Sequence, residues 1–229
     1  MLQYKDLKKN LKKDVSGCPS VKVALVGDTA TQFLATAICG MGVDRGYHID
    51  LFEAEYNQVE RQFLDPSSEL YEFDADVVVV FQSTHKLGEY HSSLSVEQQS
   101  SLADQRLSFV ASICENPAFA NKKIIYFNYA EIEDTVFGSY ANKVTSSLSY
   151  QVRKLNYELM NLSQQYPNLF ICDIAGLQNK FGRDFMFAPN VYVSTEMILS
   201  VDALPYVASR VMDIVCAIKG QFKKCLILD

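Results

Sequence analysis

Runs of polar residues that directly follow apolar strands are the first places in this sequence where chemistry could occur. In an open parallel sheet, ligands bind beyond the carboxyl ends of the strands, near the point where the strand order reverses. The runs that meet this description are Gly27-Asp28-Thr29, Gln82-Ser83-Thr84-His85-Lys86, Asn128-Tyr129-Ala130-Glu131 and Asp173. The first three of these runs converge if the strands are ordered 2-1-3-4-5. That order predicts ligand contacts for Gly27, Asp28, Ser83, Thr84 and Asn128.

The Gly27-Asp28-Thr29 turn supports two interpretations. Gly27 would let the chain turn sharply and approach a ligand. In the structural interpretation, Asp28 or Thr29 caps the helix that follows, because the first N–H groups of a helix need acceptors. In the functional interpretation, the Thr29 hydroxyl is a nucleophile, or it binds an anion at the positive end of that helix. The turn by itself favours capping.

Histidine is scarce, so a general base has few candidates. Of the three histidines, His85 alone follows the end of a strand, which makes it the best candidate for a functional imidazole. His48 opens a strand and is expected at an edge or on the surface, and His91 is expected to be exposed in a Ser-rich loop. No group of His, Cys, Asp and Glu residues has metal-ligand spacing, so the sequence predicts no metal site among them.

An alternation of strands and helices must position these residues. Apolar, β-branched runs predict five strands, at Val21–Val26, Ile49–Phe52, Val77–Phe81, Ile124–Phe127 and Leu169–Cys172. Such unbroken runs are typical of a parallel sheet that is covered on both faces. Helices are predicted between or after them, at Ala30–Met41, Val96–Cys114, Ser146–Tyr166 and Val201–Lys219. The pattern predicts an α/β fold, a three-layer α/β/α sandwich with a five-stranded, mostly parallel sheet.

Composition narrows the classes of function. The chain has 229 residues, of which 48% are hydrophobic and 21% charged, enough for one α/β domain with a sizeable core. A net charge of -6 argues against general nucleic-acid binding. No signal peptide is evident, and no apolar run reaches the roughly 20 residues that a membrane span needs. The six cysteines contain no CxxC pair, which favours free thiols in a cytoplasmic protein.

The two ends of the chain suggest boundaries. Residues 1–20 are predicted to be a lead-in that contains a short amphipathic helix, with lysines on the face away from the domain. That helix either lies on the domain edge or docks an acidic partner. Residues 21–220 are expected to form the α/β domain. The stretch "KKCLILD", within residues 221–229, has the pattern of a new buried strand and is interpreted as the start of a following domain.

One family resemblance begins at the first turn. "LVGDTATQFL" is similar to the first block of SGNH-type hydrolases, in which Gly-Asp-Ser carries the nucleophilic serine; Thr29 stands at the serine position. "STHKL" aligns with the third block, which places His85 at the asparagine of the oxyanion hole. The fifth block should supply Asp-x-x-His, yet the alignment places Thr195 and Ile198 there. Because a hydroxyl nucleophile is weak without an adjacent base, Thr29 with Ile198 is not a working dyad.

A second resemblance covers nearly the whole chain. "YKDLKKNLKKD", "FLDPSSELYEF", "SYQVRKLNYEL" and "ILSVDALPYVA" together resemble the N-terminal region of FkbH-like modular proteins. In that family a phosphatase-like domain of the haloacid-dehalogenase (HAD) superfamily follows. The resemblance implies that Asp229 is the first, nucleophilic aspartate of that domain and that the domain needs Mg²⁺. It implies no cofactor for the residues before it, and an acyl carrier protein as a possible partner beside the HAD domain.

Three hypotheses about function follow. The first is a non-catalytic or weakly catalytic SGNH-like accessory module that binds substrate, an acyl carrier protein or the adjacent HAD domain. The second is an esterase or acyltransferase with Thr29 as nucleophile and His85 as substitute base. The third, ranked last, is a phosphate or nucleotide site of flavodoxin-like type at the first turn, where Gly27 stands without a glycine-rich cradle.

Overall fold

A parallel sheet of five strands forms the centre of the molecule. The computed structural model describes residues 2–133 and 135–221. The strands are β1 (Ser20–Gly27), β2 (His48–Glu53), β3 (Val77–Phe81), β4 (Lys123–Phe127) and β5 (Leu169–Cys172). They are ordered β2-β1-β3-β4-β5, and every neighbouring pair is parallel. The predicted strands and their predicted order are confirmed.

Twelve α-helices and one 3₁₀ helix connect and cover the strands in the described part of the chain. The helices before β4 are α1 (Tyr4–Asn10), α2 (Gln32–Asp44), α3 (Val59–Leu64), α4 (Glu69–Phe73), α5 (Thr84–Ser93), α6 (Val96–Gln99) and α7 (Leu102–Glu115). The later ones are a 3₁₀ helix (Gly138–Lys143), α8 (Leu148–Gln165), α9 (Ile174–Phe181), α10 (Arg183–Met186), α11 (Pro189–Thr195) and α12 (Leu204–Ile218). The helix predicted over Val96–Cys114 is two helices, because the chain turns between Gln99 and Leu102.

Alternate residues of each strand face opposite layers, as the two-residue period of a strand requires. In β1, Val23 and Leu25 pack with the layer that contains α1, α2, α9 and α12. Ala24 and Val26 pack with the layer that contains α3, α4, α7 and α8. β3 divides in the same way and is buried along its whole length. The result is the predicted three-layer sandwich, in which a strand is buried from both sides.

The predicted N-terminal helix is present as α1. Its Leu7 is fully buried in the first of these layers. The Asn10 amide donates to the carbonyl of Gly40 at 3.1 Å, and a Cβ on Gly40 would lie 2.4 Å from the Leu7 carbonyl oxygen. The backbone contact between α1 and α2 therefore requires glycine at position 40. The expected start of a following domain, including Asp229, lies outside the described residues.

Other expectations from composition concern thiols and membranes. The five cysteines within the described ranges, Cys18, Cys39, Cys114, Cys172 and Cys216, carry free thiols, as predicted. None of the described helices is both long enough and apolar enough to span a lipid bilayer.

Candidate functional site

The carboxyl ends of β1, β3 and β4 lie side by side, as the strand order predicts. Gly27 at the end of β1 pairs with Phe81 at the end of β3. The Asp28 amide continues this pairing and donates to the Phe81 carbonyl at 3.2 Å. The first and second polar runs of the sequence are thereby brought to the same edge of the sheet as the third run, which follows β4.

Gly27 is required by close packing. A Cβ at this position would lie 2.7 Å from Thr31 Cγ2 and 3.4 Å from the Phe81 carbonyl oxygen. The carbonyl of Gly27 also accepts a hydrogen bond of 3.2 Å from the amide of Asn57, a residue with φ of +61°. The turn after β1 is therefore fixed from both sides by backbone contacts.

The Asp28 side chain contacts Ser83, between β3 and α5, and does not cap α2. Both of its carboxylate oxygens lie 2.9 Å from the backbone N–H of Ser83. Burial raises the pKa of Asp28 to about 7, and the Ser83 N–H opposes this shift. The capping prediction was wrong: Thr31 is the N-cap of α2 and makes no side-chain cap, since its hydroxyl donates to Glu53 Oε1 at 2.6 Å.

Thr29 is fully buried. Its Oγ1 has no hydrogen-bond partner anywhere in residues 2–133 and 135–221. It therefore does not cap α2 either, and no described side chain hydrogen-bonds to it as a general base would. The next amide, that of Ala30, donates to the carbonyl of Glu196 at 3.0 Å. That bond ties the turn to the segment that leads to Ile198, the position aligned with a catalytic histidine.

His85 lies half-buried in the first turn of α5. Its ring packs edge-on against Tyr192, with centroids 4.9 Å apart. The two residues before it have structural contacts: the Ser83 hydroxyl caps α5 by accepting from the Lys86 amide at 3.2 Å, and the Thr84 hydroxyl donates to the Ala130 carbonyl at 2.6 Å. The functional roles predicted for these three residues stay predictions.

The other histidines lie away from this edge. His48 is the exposed first residue of β2, as predicted. The prediction for His91 was wrong, because it is a half-buried residue of α5 whose Nε2 lies 2.7 Å from the Ser146 carbonyl oxygen. A Ser-rich sequence concealed the helix, since serine has a low helix propensity and tertiary contacts override it. Within the described ranges, no three His, Cys, Asp or Glu side chains are grouped to hold a metal ion.

Asn128 contacts the start of α9. Its Nδ2 donates to Asp173 Oδ1 at 2.7 Å, and its Oδ1 accepts from the amides of Ile174 at 2.8 Å and Ala175 at 3.1 Å. Asp173 in turn caps the same helix by accepting from the Gly176 amide at 2.9 Å. The Asn128 and Asp173 side chains together satisfy three N–H groups of the α9 N-terminus.

Two cavities adjoin the edge, and both are lined in part by Gln82 and Ser83. The smaller, which we call the His85 cavity, has a volume of about 30 Å³. Its lining includes His85 and Asn128 and several apolar side chains, namely those of Ile132, Ile174, Phe187 and Ile198. Ile198 is only 3% exposed. The place that the hydrolase resemblance gives to a histidine is therefore occupied by a buried apolar side chain.

The larger cavity, which we call the Asp28 cavity, has a volume of about 160 Å³. Its lining includes Asp28, Asn57, Glu60, Gln82, Lys86, Arg106 and Tyr129. Sequence reasoning missed Arg106, since nothing in the predicted helix around it distinguishes this arginine from a surface residue. It also missed Asn57 and Glu60, which lie on the connection between β2 and β3.

A buried hydrogen-bond network links Gln82 and Tyr129, which line the Asp28 cavity, to Tyr126 behind them. The Tyr126 hydroxyl donates to Gln82 Oε1 at 2.5 Å and lies 2.8 Å from the Tyr129 hydroxyl. Burial raises the pKa of Tyr126 and raises that of Tyr129 to about 12, so both phenols are neutral at physiological pH. The network positions the Gln82 side chain, which lines both cavities.

Comparisons with known proteins place the chain near an FkbH family model and a solved structure. A family model described as FkbH, N-terminal domain, matches residues 22–216. The crystal structure of the N-terminal part of a Bacteroides fragilis protein, described as containing a phosphatase domain and complexed with Mg, is 57% identical with a TM-score of 0.95. The match covers 98% of this chain and 59% of that one, so this chain spans less than two thirds of that relative. No curated protein matches the sequence.

More distant structures show the fold alone. A GDSL-like lipase from Bacteroides thetaiotaomicron is 13% identical with a TM-score of 0.50, and the match covers 96% of this chain and 98% of the lipase. The acetyl xylan esterase AlAXEase has the same identity and TM-score, with 85% of this chain and all of the esterase covered. The predicted SGNH-like architecture is confirmed by these neighbours.

Proposed function

Because this chain belongs to the FkbH N-terminal domain family, we propose that it is an SGNH-like accessory module that binds and does not hydrolyse. One observation carries the proposal. The hydroxyl of Thr29, at the position of the hydrolase nucleophile, is fully buried and makes no hydrogen bond within the described ranges. A nucleophilic hydroxyl needs both access to an ester and a base within about 3 Å.

The contacts around the turn support the same reading. Ser83 and Asn128 use their side chains at the starts of α5 and α9, and the Thr84 hydroxyl donates to the backbone of the segment after β4. The His85 cavity, at about 30 Å³, has room for about one water molecule, whose share of liquid volume is about 30 Å³. The scaffold of a hydrolase therefore carries a small, largely apolar cavity in place of an open ester-binding cleft.

The partner that we propose first is a phosphatase-like HAD domain in the same polypeptide. A relative that is 57% identical is described as containing a phosphatase domain, and this chain spans 59% of that structure. Mg²⁺ would belong to that domain, with Asp229 as its first carboxylate. The described residues would then serve as the accessory part of a larger protein.

A second partner of the proposed module is an acyl carrier protein, which would meet the lysines of α1 and the turn that follows it. Lys8, Lys9 and Lys12 are exposed there, and opposite charges across an interface increase the rate of association. The same lysines were predicted from the sequence to face away from the domain. Their exposure supports a docking surface for an acidic protein.

The test of the non-catalytic role is hydrolysis of a short-chain acyl ester by the wild type, Thr29→Ala and His85→Ala. We expect no hydrolysis above background from any of the three proteins. Hydrolysis by the wild type that disappears in both variants would instead support the esterase with Thr29 as nucleophile and His85 as base. Unfolding curves of the same preparations would show that each variant is folded.

The test of carrier-protein docking is a titration of acyl carrier protein against the module. We expect Lys8→Glu, Lys9→Glu and Lys12→Glu together to weaken binding, and the effect to shrink as salt is added. The matched control reverses three exposed lysines elsewhere, Lys143, Lys180 and Lys219. Equal weakening by both triple variants would show a general effect of charge and would contradict docking at α1.

A further inference from the structure

Arg106 of α7 is an arginine with unused donors. Its side chain is only 16% exposed and lines the Asp28 cavity. Among the described residues, its guanidinium donates one hydrogen bond, from Nη1 to Glu60 Oε1 at 3.2 Å. The central carbon of the guanidinium, Cζ, lies 5.0 Å from the ring centroid of Tyr90. Because a guanidinium carries five N–H donors, most of them have no partner in the described residues.

The Glu60 carboxylate is a weak competitor for this guanidinium. Its side chain is 63% exposed, and it contacts Arg106 through one oxygen. A single exposed carboxylate of this kind contributes little, since water screens the pair. A planar oxyanion inside the cavity could contact the guanidinium through two parallel hydrogen bonds, which is the stronger geometry.

A second cation and a neutral wall complete the cavity. Lys86 lies on its lining and forms ion pairs at the rim, with Glu196 at 3.1 Å and Glu89 at 3.4 Å. The hydroxyls of Tyr126 and Tyr129 keep their protons at physiological pH, so that wall adds no negative charge.

Asp28 is the acidic group that an anion would meet. Its two oxygens share a single backbone N–H, which leaves most of its acceptor capacity without a donor. Burial raises its pKa to about 7. Near neutral pH the carboxyl is therefore partly protonated, and in that form it donates a hydrogen bond to an anion where a carboxylate would repel it.

We propose that the Asp28 cavity binds a small oxyanion, a phosphate or carboxylate group, through the guanidinium of Arg106 and the ammonium of Lys86. The volume of about 160 Å³ accommodates several water molecules or an anion of a few heavy atoms. The inference deepens the proposed binding role and rests on it, because it names the chemical class that the module takes. It places the site between the first turn, which contributes Asp28, and α7, which contributes Arg106.

The test is calorimetric titration of the 229-residue protein with inorganic phosphate and with acetate, at one pH and constant ionic strength. Binding by phosphate alone or by acetate alone would identify the source of the oxyanion. Arg106→Gln removes the guanidinium, and Arg106→Lys keeps the charge without the planar fork. Glu60→Gln removes the competing carboxylate, and Arg210→Gln, at an exposed position on α12, is the matched control.

We expect saturable binding of at least one anion by the wild type. Arg106→Gln should weaken it about tenfold or more, as a charge-assisted pair implies, and Arg106→Lys should weaken it less. Glu60→Gln should tighten binding, and Arg210→Gln should leave it unchanged. If Arg106→Gln does not fold, Arg106→Lys decides the result.

Two results would overturn the site: no saturable binding of either anion, or equal binding by the wild type and both Arg106 variants. The ester-hydrolysis assay, run on the same preparations, keeps the two proposals apart. Hydrolysis that depends on Thr29 would contradict the non-catalytic role whatever the anion data show. Absent anion binding with absent hydrolysis would remove only the oxyanion site.

Discussion

The Asp28 cavity and the His85 cavity share Gln82 and Ser83 yet differ in size and chemistry. The first is about 160 Å³ and is lined by two acids, two cations and buried hydrogen-bonding groups. The second is about 30 Å³ and is mostly apolar on the side of Ile198. A hydrolase fold does not locate function by itself. Here an isoleucine occupies one side, at the position aligned with a catalytic histidine, and charged side chains line the cavity on the other.

The largest effect that we predict comes from Asp28→Asn in the Asp28 cavity. The folded-state pKa of about 7 lies above the ordinary value of 3.8, so the native state holds this proton more tightly than the unfolded chain does. The contribution of Asp28 to stability is therefore fully present below about pH 4 and is lost as the pH rises from there through about 7. A shift of about three units corresponds to about 4 kcal/mol. The asparagine side chain cannot ionise, and its amide oxygen can still accept from the Ser83 amide.

Urea unfolding at pH 4.5 and at pH 8 measures this effect. At pH 8 the Asp28→Asn protein should be more stable than the wild type by about 2 to 4 kcal/mol, and at pH 4.5 the difference should shrink to about 1 kcal/mol. Asp202→Asn, at an exposed position, controls for the loss of one negative charge. A difference between Asp28→Asn and the wild type that is the same at both pH values would show that Asp28 titrates normally.

The second prediction tests the His85 cavity with Ile198→His. The change places a histidine at the position aligned with the hydrolase base, but in a site that is 3% exposed and mostly apolar. A buried polar group without a partner costs about 1 to 3 kcal/mol, in addition to the lost packing of isoleucine. We expect a loss of about 3 kcal/mol in the free energy of unfolding and no ester hydrolysis, because the Thr29 hydroxyl stays buried.

Ile198→Val is the matched control for that substitution. It keeps the apolar character and should cost about 1 kcal/mol. If Ile198→His is as stable as Ile198→Val, the cavity contains a partner for an imidazole. If Ile198→His hydrolyses a short acyl ester, Thr29 is accessible to substrate and the contrast between the two cavities fails.

A smaller effect is expected from Tyr126→Phe, which removes one hydroxyl from the network behind Gln82 and Tyr129. Gln82 Oε1 loses its 2.5 Å hydrogen bond and keeps only the 3.5 Å contact with Tyr129. We expect a loss of about 1 to 2 kcal/mol in the free energy of unfolding. Tyr157→Phe, at a residue that is 60% exposed, should change it little. Equal effects of the two substitutions would show that the network contributes no stability.

The sheet was predictable from sequence because its signal is local and strong. Each strand is an unbroken apolar run such as Val77–Phe81, and the strand order follows the usual doubly wound arrangement. The site was less predictable, because its contacts join residues that are far apart in the chain. Asp28 accepts from Ser83, 55 residues away, and Arg106 reaches the cavity from a helix that carries no motif. Local rules predicted a cap at Asp28, and a tertiary contact replaced it.

The smallest effect that we predict comes from Thr29→Val. This substitution is also the sharpest test of the Gly27-Asp28-Thr29 turn. Valine has nearly the shape of threonine, and the hydroxyl that it removes is fully buried without a partner in the described residues. An unpaired buried hydroxyl is unfavourable, so the variant should equal the wild type or exceed it in stability by up to about 1 kcal/mol.

Thr84→Val is the matched control, because the Thr84 hydroxyl is also buried but donates to the Ala130 carbonyl at 2.6 Å. Loss of that hydroxyl should cost about 1 to 2 kcal/mol. Urea unfolding of the two variants side by side compares the two hydroxyls. A loss in Thr29→Val as large as that in Thr84→Val would mean that the Thr29 hydroxyl is satisfied in solution, and a nucleophile at this turn would again be worth testing.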